Sequence, residues 1–437
     1  MLTKFLKAGF GSVGAQVINL AALPVIARLY EPEEYAVWAI VIATAMIFGG
    51  IASLRYEVAI VLPERQEDAS AVFIWCVLCS LSAGLLVAAG AALVSQTGYL
   101  EGGAEGNELL HTLFTPLLVT TLGLTLALQH WAVRLGRYAL NSVSQLGLAV
   151  FTLLVQFSYA VLGDGGAMGL VIGSLAGQIA AVAILSVGCA TKSARPELSV
   201  SAIRRLPEMI RDYYRFPLYS MPYVLFGTIR DRASVYVIAL FLGTRDAGLY
   251  AFAYRIMNFP VSLVSAALRP VVFREATTGG VGALEDRINL ILRWLVLLAT
   301  PVLVVYFRWS DQIFAFVFGE EWRGAALYAD FIALPVFTFM FCNWLDRILD
   351  VLGRQRLTLG MEIAFGSASI IALWVAFEWD FDLRVALAAQ CAILIAYNLA
   401  YLVAAYDCAG YRKTPLLHHA GLVLLVAAVL GPPVWMF

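Results

Sequence analysis

A chain of 437 residues with 61% hydrophobic and 14% charged side chains, a net charge of −1 and a mean hydropathy of +0.83 lies far outside the composition of soluble domains. The balanced charge gives no electrostatic reason to expect nucleic acid or an acidic partner. No stretch between apolar runs is long enough for an independent soluble domain, so the chemistry belongs inside a bilayer.

Apolar runs of about 20 residues, each able to cross roughly 30 Å of hydrocarbon as a helix, recur along the whole length. They predict thirteen spans, over 5–28, 35–58, 71–94, 109–131, 140–162, 166–190, 215–241, 246–272, 288–307, 325–350, 358–377, 384–406 and 415–435. The first follows Lys4 and Lys7 as a signal peptide would, but its apolar run is too long and lacks a small-residue cleavage site, so it is read as retained. Gly9, Gly11 and Gly14 fit a G-x-G-x-x-G fingerprint without the strand that a dinucleotide site requires, and read as helix-packing glycines. Cys76 and Cys79 have C-x-x-C spacing with no second ligand pair. All six cysteines fall in or at the ends of spans, where packing is the expected role.

Between spans six and seven, segment 191–214 places Ile203, Leu206, Ile210 and Tyr213 opposite Arg204, Arg205, Glu208, Arg211 and Asp212. It reads as an amphipathic helix on the cytoplasmic surface. The expected organisation is a six-helix lobe over 1–190, this linker over 191–214, a second six-helix lobe over 215–407, and an additional span within 408–437. A gapless echo, VIARLYEPEEYAVWA at 25–39 against VIALFLGTRDAGLYA at 237–251, supports two parallel repeats about an axis along the membrane normal. The fold class is therefore all-α integral membrane with 12–14 helices. Later in the chain, Asp380-Phe381-Asp382 resembles the acidic pair of metal-dependent glycosyltransferases but reads as a solvated turn. No phosphate-loop motif is present.

With the N-terminus in the cytoplasm, twenty-one basic residues fall on the inner side and five on the outer, leaving Arg230, Arg232 and Arg255 inside spans. Ionised groups near the bilayer centre cost about 2.5 kcal/mol or more and are expected to face a cavity or a partner. Seven such residues fall in the first two spans of each half: Arg28, Arg55, Glu57, Arg230, Asp231, Arg232 and Arg255. Internal ion pairs account for one neutralised group per half but not for the excess of arginine. The planar guanidinium fork grips phosphate oxygens, so the arginines are candidate substrate ligands for an anionic head group. Glu57, Asp231 and Asp330 are candidate ion-coupling carboxylates. Pro24, Pro116, Pro217, Pro222, Pro260, Pro301 and Pro335 are expected to kink spans.

Four blocks, ARLYEPEEYAVWAI at 27–40, LRYEVAIVLPERQEDASAVF at 54–73, GTRDAGLYAFAYRIMNFP at 243–260 and FVFGEEWRGAALYADFIALP at 316–335, resemble the polysaccharide flippases of the multidrug/oligosaccharidyl-lipid/polysaccharide exporter superfamily. The Arg-Tyr-Glu followed by a Leu-Pro loop is the most specific. The resemblance implies two six-helix lobes with a cationic central cavity, and carries over Arg28, Arg55, Glu57 and Arg255. Arg230, Asp231 and Arg232 rest on the charge argument alone. It also implies a non-enzymatic flippase that moves undecaprenyl-pyrophosphate-linked oligosaccharide across the bacterial inner membrane by alternating access, for surface polysaccharide (lipopolysaccharide or exopolysaccharide) biosynthesis. Membrane lipids surround it, polysaccharide polymerase and chain-length proteins are candidate partners, and no cofactor, metal or nucleic acid is expected. The alternative is an ion-coupled exporter of drugs or small metabolites on the same fold, which predicts a cavity dominated by acids and aromatics.

Overall fold

The computed structural model describes residues 2–96, 109–163, 165–190, 195–197 and 199–413, with side chains from residue 14 onward. The expected span 415–435 lies outside the described residues. Among those described, all regular structure is helical. The helices are α1 (Leu2–Leu29), α2 (Pro32–Gly49), α3 (Gln66–Ser95), α4 (Thr115–Arg134), α5 (Tyr138–Leu162), α6 (Ala167–Cys189), α7 (Val200–Asp212), α8 (Met221–Leu242), α9 (Thr244–Gly279), α10 (Glu285–Phe318), α11 (Ala325–Cys342), α12 (Asp346–Val351), α13 (Gln355–Met361), α14 (Ser367–Glu378) and α15 (Leu383–Ala409). Single π-helical turns, Leu110–Phe114, Phe216–Ser220 and Glu362–Gly366, lead into α4, α8 and α14.

Among the described residues, ten helical segments are long and apolar enough to cross a membrane, some joining neighbouring elements. Two more expected spans are helical as well. In α1 the apolar stretch is Gly14–Leu29, and α8 is 22 residues long but carries Arg230, Asp231 and Arg232 at its centre. Side chains such as Leu85, Leu86, Leu162, Val187 and Phe316 are largely exposed on these helices. In a spanning bundle such groups meet lipid tails, so burial there reports packing, not the hydrophobic effect.

The chain divides into two compact units, Met1–Ala233 and Ser234–Phe437, the boundary falling inside α8. In the first, α5 packs mainly on α6 and α1, and α4 on α3, α6 and α2. Small residues permit the closest approach. A Cβ built on Gly177 would sit 2.6 Å from the Leu148 carbonyl oxygen and 2.0 Å from Thr152 Oγ1, so α5 and α6 touch almost backbone to backbone. In the second unit α11 is the core, buried along most of its length between α9, α10 and α15. The aligned halves of the internal echo share boundaries: α1 ends at Leu29 and α2 opens at Pro32, and at the matching positions α8 ends at Leu242 and α9 opens at Thr244.

Three expectations change. The second span does not run to residue 58: α2 stops at Gly49, and Leu54 and Arg55 take positive φ angles of 53° and 66° before a 3₁₀ turn over Tyr56–Val61. Non-glycine residues rarely adopt that region, so the apolar period overran a built corner. The span expected over 325–350 ends at Cys342, turns through Asn343–Leu345 and restarts as α12. The amphipathic segment is helical over Val200–Asp212, capped by Ser199 Oγ accepting from the Ala202 amide at 3.2 Å. Its inner face is Ala202 and Met209 with Leu206, Ile210 and Tyr213, while Ile203 is exposed. The remaining side motifs are structural. Gly9–Gly14 lies inside α1, Asp382 Oδ2 accepts from the Arg384 amide at the start of α15, and Cys76, Cys189, Cys342 and Cys391 are buried free thiols.

Candidate functional site

The Arg-Tyr-Glu corner of the first unit is held by a cluster of polar contacts. Arg55 Nη1 pairs with Glu57 Oε1 at 2.7 Å, and Glu57 Oε2 also accepts from the Ser53 hydroxyl. Glu57 is fully buried, whereas the Arg55 side chain keeps 21% exposure. Its Nε points to Ser220 Oγ at 3.5 Å, on the π-helical turn that opens α8. Tyr56, buried between them, donates to the Ile210 carbonyl of α7 at 3.1 Å. The unusual backbone is therefore held from three sides, as strain at such positions requires.

The loop after the corner is held by a residue that the charge pattern counts only as an inner-side cation. The Arg134 guanidinium, in the last turn of α4, reaches the carbonyls of Ile60 (3.3 Å), Pro63 (2.5 Å), Glu64 (3.4 Å) and Arg65 (3.4 Å). The linker is strapped to the same place. Arg205 pairs with Asp68 at 2.7 Å, Ser70 Oγ accepts from the Glu197 amide at 2.9 Å, and Gln66 donates to the Arg195 carbonyl at 3.3 Å. No sequence signal marks these contacts beyond a block of polar residues, 64–68, between two apolar runs.

The other expected site residues lie at different depths. Arg230 closes on its neighbour Asp231 with Nε at 3.0 Å and Nη2 at 2.9 Å, leaving 10% of the Arg230 side chain exposed. Ten residues beyond Ser220 along α8, that pair sits about 15 Å from the corner; Arg232, half-buried, is its neighbour. Arg28 is exposed in the last turn of α1 and is separated from Arg55 by the length of α2, 18 residues or about 27 Å. The unit thus brings Arg55 together with Glu57 and Ser220, and Arg230 with Asp231. Arg28 stands at the opposite end. In the second unit Arg255 is half-buried eleven residues into α9, about 16 Å from its start.

Asp330, on α11, accepts from Ser310 Oγ of α10 at 3.3 Å and lies beside Tyr306 of the same helix. Two polar constellations of this unit escaped the sequence reading. Arg269 of α9 donates to the Asn343 carbonyl at 3.0 Å and Oδ1 at 2.6 Å and pairs with Asp346 at 3.0 Å, fastening the break between α11 and α12. Asn398 of α15 donates to the Pro335 carbonyl and to Thr338 Oγ1, each at 2.9 Å, satisfying backbone inside α11. A polar group amid an apolar helix is the one signal that could have flagged them.

The sequence profile of the family described as polysaccharide biosynthesis protein matches residues 25–327, well over half of the chain. The chain belongs to this family. A stretch of 172 residues is 23% identical to the teichuronic acid biosynthesis protein TuaB of Bacillus subtilis (strain 168), covering 38% of this chain and 35% of that protein, so the match spans about a third of the relative's length. In structure, an inward-facing multidrug resistance MATE family transporter of the MOP superfamily aligns over 98% of this chain and 96% of its own, with TM-score 0.62 at 13% identity. The lipid II flippase MurJ in an inward closed conformation aligns over 98% of both chains, with TM-score 0.59 at 12% identity. At that identity the likeness shows the fold alone, the two-lobe helical fold that those proteins have. A polysaccharide biosynthesis protein with ten apolar helices of membrane-spanning length among its described residues is a multi-pass membrane protein.

Proposed function

We propose that this family member carries an oligosaccharide linked to a polyprenyl pyrophosphate from the cytoplasmic to the outer leaflet of the bacterial inner membrane, with its N-terminus in the cytoplasm. The single observation behind this reading is the placement of arginine at three depths of one unit: Arg55 at one end, Arg230 and Arg232 about 15 Å further along, and Arg28 at the other end. Only Glu57 and Asp231 offset them among the expected site residues, leaving net positive charge along the direction of transport. A pyrophosphate is the cargo group that such a series suits, because each guanidinium can take two phosphate oxygens and pass them on without changing protonation. Arg255 is proposed as a phosphate ligand of the second unit, and the surrounding carboxylates tune the arginines without a covalent step. Polymerase and chain-length proteins are proposed consumers of the product.

The test is outward movement of a labelled undecaprenyl-pyrophosphate oligosaccharide in proteoliposomes. The parent is expected to transport, and Arg28→Ala, Arg232→Ala and Arg255→Ala to slow transport about tenfold or more, the cost of losing one charge-assisted contact. Equal rates in all variants sink the arginine series. No transport of the lipid by the parent, together with efflux of a cationic dye, moves the reading to the drug exporter.

A further inference from the structure

The linker helix α7 carries two apolar faces, and only one of them meets protein. Ala202 and Met209 are buried, and Leu206, Ile210 and Tyr213 pack with them into the core of the first unit on the side of α3. Val200 and Ile203, 67% and 52% exposed, and the exposed Pro207 lie on the other side. A turn of about 100° per residue sets Ile203, Pro207, Val200, Arg211 and Arg204 side by side in that order, within an arc of about 100°. No acidic residue falls in this arc.

The acids of the helix stand beyond the arginine edge. Glu208 and Asp212 flank Arg205, which reaches Asp68 at 2.7 Å and Glu208 at 3.9 Å. Arg204 and Arg211 are both exposed, and neither pairs with a carboxylate among the described residues. Charge is thus sorted around α7 as a protein-facing side, a bare apolar strip, two unpaired arginines, and then acids held toward Arg205.

The chain keeps α7 close to the bilayer. Residues 213–215 alone separate it from the π-helical turn Phe216–Ser220 that leads into α8, and segment 190–199 joins it to the end of α6 at Cys189. Tyr214, Leu218 and Tyr219, at the foot of α8, are exposed as well, so bare apolar surface continues from the strip to the start of a span. Such a strip leaves water when it lies in the boundary between headgroups and acyl chains. Arginines at its edge rest their aliphatic stems on it and lift the guanidinium to the level of the phosphates, where the planar fork takes two oxygens. A soluble acidic partner matches the arginines but not a strip that runs on to the foot of a span.

We propose that α7 is a binding site for anionic phospholipids: Val200, Ile203 and Pro207 dip into the adjoining leaflet, and Arg204 and Arg211 hold the phosphate groups of its acidic lipids. The opposite face of α7 passes this contact to the Arg-Tyr-Glu corner. Tyr56 donates to the Ile210 carbonyl at 3.1 Å, Arg205 pairs with Asp68, and Ser70 Oγ accepts from the Glu197 amide. A helix held down by lipid opens less often, and the corner strapped to it opens less often with it. The site stands whether or not the chain flips a lipid-linked glycan.

The test is amide hydrogen exchange of the full chain in lipid nanodiscs of phosphatidylcholine alone and of an equal mixture with phosphatidylglycerol. In the mixture, exchange over 200–212 should slow about fivefold or more, the factor expected from one arginine at an anionic surface. Added salt should erase the difference, and residues 56–61 should slow together with α7. Arg204→Gln/Arg211→Gln should exchange alike in both membranes. Arg354→Gln/Arg356→Gln, which removes two exposed arginines at the start of α13, should keep the parent's difference over α7. Ile203→Asp should weaken that difference with both arginines present. Equal exchange of the parent in the two membranes overturns the site, and is the result if an acidic protein is the true occupant. A difference that survives Arg204→Gln/Arg211→Gln, or that disappears as fully in Arg354→Gln/Arg356→Gln, overturns the assignment to these arginines. Full protection in Ile203→Asp overturns the apolar contact, and unchanged exchange over 56–61 overturns the link to the corner.

Discussion

Replacing Arg55 by alanine leaves Glu57 fully buried with Ser53 as its remaining partner, an uncompensated charge inside the first unit. Breaking one side of a buried pair typically costs about 3–5 kcal/mol, and because the Arg55 side chain keeps 21% exposure, water can partly replace it; the lower end, about 3 kcal/mol, is expected. Alanine inherits the positive φ of 66° but adds little to that cost, since arginine already bears it. Glu57→Gln is milder, for Arg55 retains solvent and Ser220. In the double variant no unpaired charge remains, so the loss should fall to about 1 kcal/mol, giving a coupling of about 2 kcal/mol in the double-mutant cycle. For a domain the size of the first unit this means about 6–12 °C in apparent Tm for Arg55→Ala and a large recovery in the double variant. Thermal unfolding of the detergent-solubilised chain, followed by tryptophan fluorescence, reads this directly. If Arg55→Ala and the double variant melt together, Glu57 is not held charged by Arg55 and the account of the corner is wrong.

Four further outcomes follow from named contacts. Arg134→Ala and Arg134→Lys should both destabilise, by about 1–3 kcal/mol, because a single ammonium cannot span four carbonyls; protease nicking at Arg65 should rise in parallel. Gly177→Ala should cost about 1–3 kcal/mol by pushing α6 away from the Leu148 carbonyl, whereas Gly90→Ala, with open space around its Cβ position, should not lower Tm. Arg269→Ala should free the Asn343 turn, seen as faster amide exchange over 343–350 with α9 unchanged at its start. In the exposed loop before α11, two Arg323 hydrogen bonds, each 2.8 Å, hold the Glu320 carboxyl below the usual carboxylate range. Its folded affinity for protons is lowered, so the contribution of the pair is full at neutral pH and is lost only on acidification through that depressed value. Glu320→Gln should therefore lower Tm slightly at neutral pH, leave it unchanged in strong acid, and so flatten its fall on acidification.

Much of the architecture was legible because a lipid-spanning helix must satisfy its own backbone and cover its flanks with apolar groups, and both demands are written locally. That is why each of the twelve expected spans within the described residues contains a helix, and why the echo between 25–39 and 237–251 marks matching helix ends. The same local logic placed charge in the first two spans of each half and singled out Arg28, Arg55, Glu57, Arg230, Asp231, Arg232, Arg255 and Asp330 as the residues to examine. It overran at the Arg-Tyr-Glu corner and at Asn343, where apolar side chains continue through a backbone that has left the helix.

Partnership was decided elsewhere. That Arg55 meets Ser220, 165 positions on, and Arg269 meets Asn343, 74 positions on, depends on which helices lie side by side, and hydropathy is blind to that choice. So is the sorting of the carboxylates: Glu57, Asp231 and Asp330 look alike as acids in apolar runs, yet two received an arginine and one received hydroxyls. Sequence determined that this chain lives in a bilayer and where its charges fall along each helix, because solvent matching is a one-dimensional property. Tertiary structure alone decided which charges meet an opposite charge and which meet hydroxyls, because a charge's free energy depends on the few atoms within about 4 Å of it, and those come from distant parts of the chain.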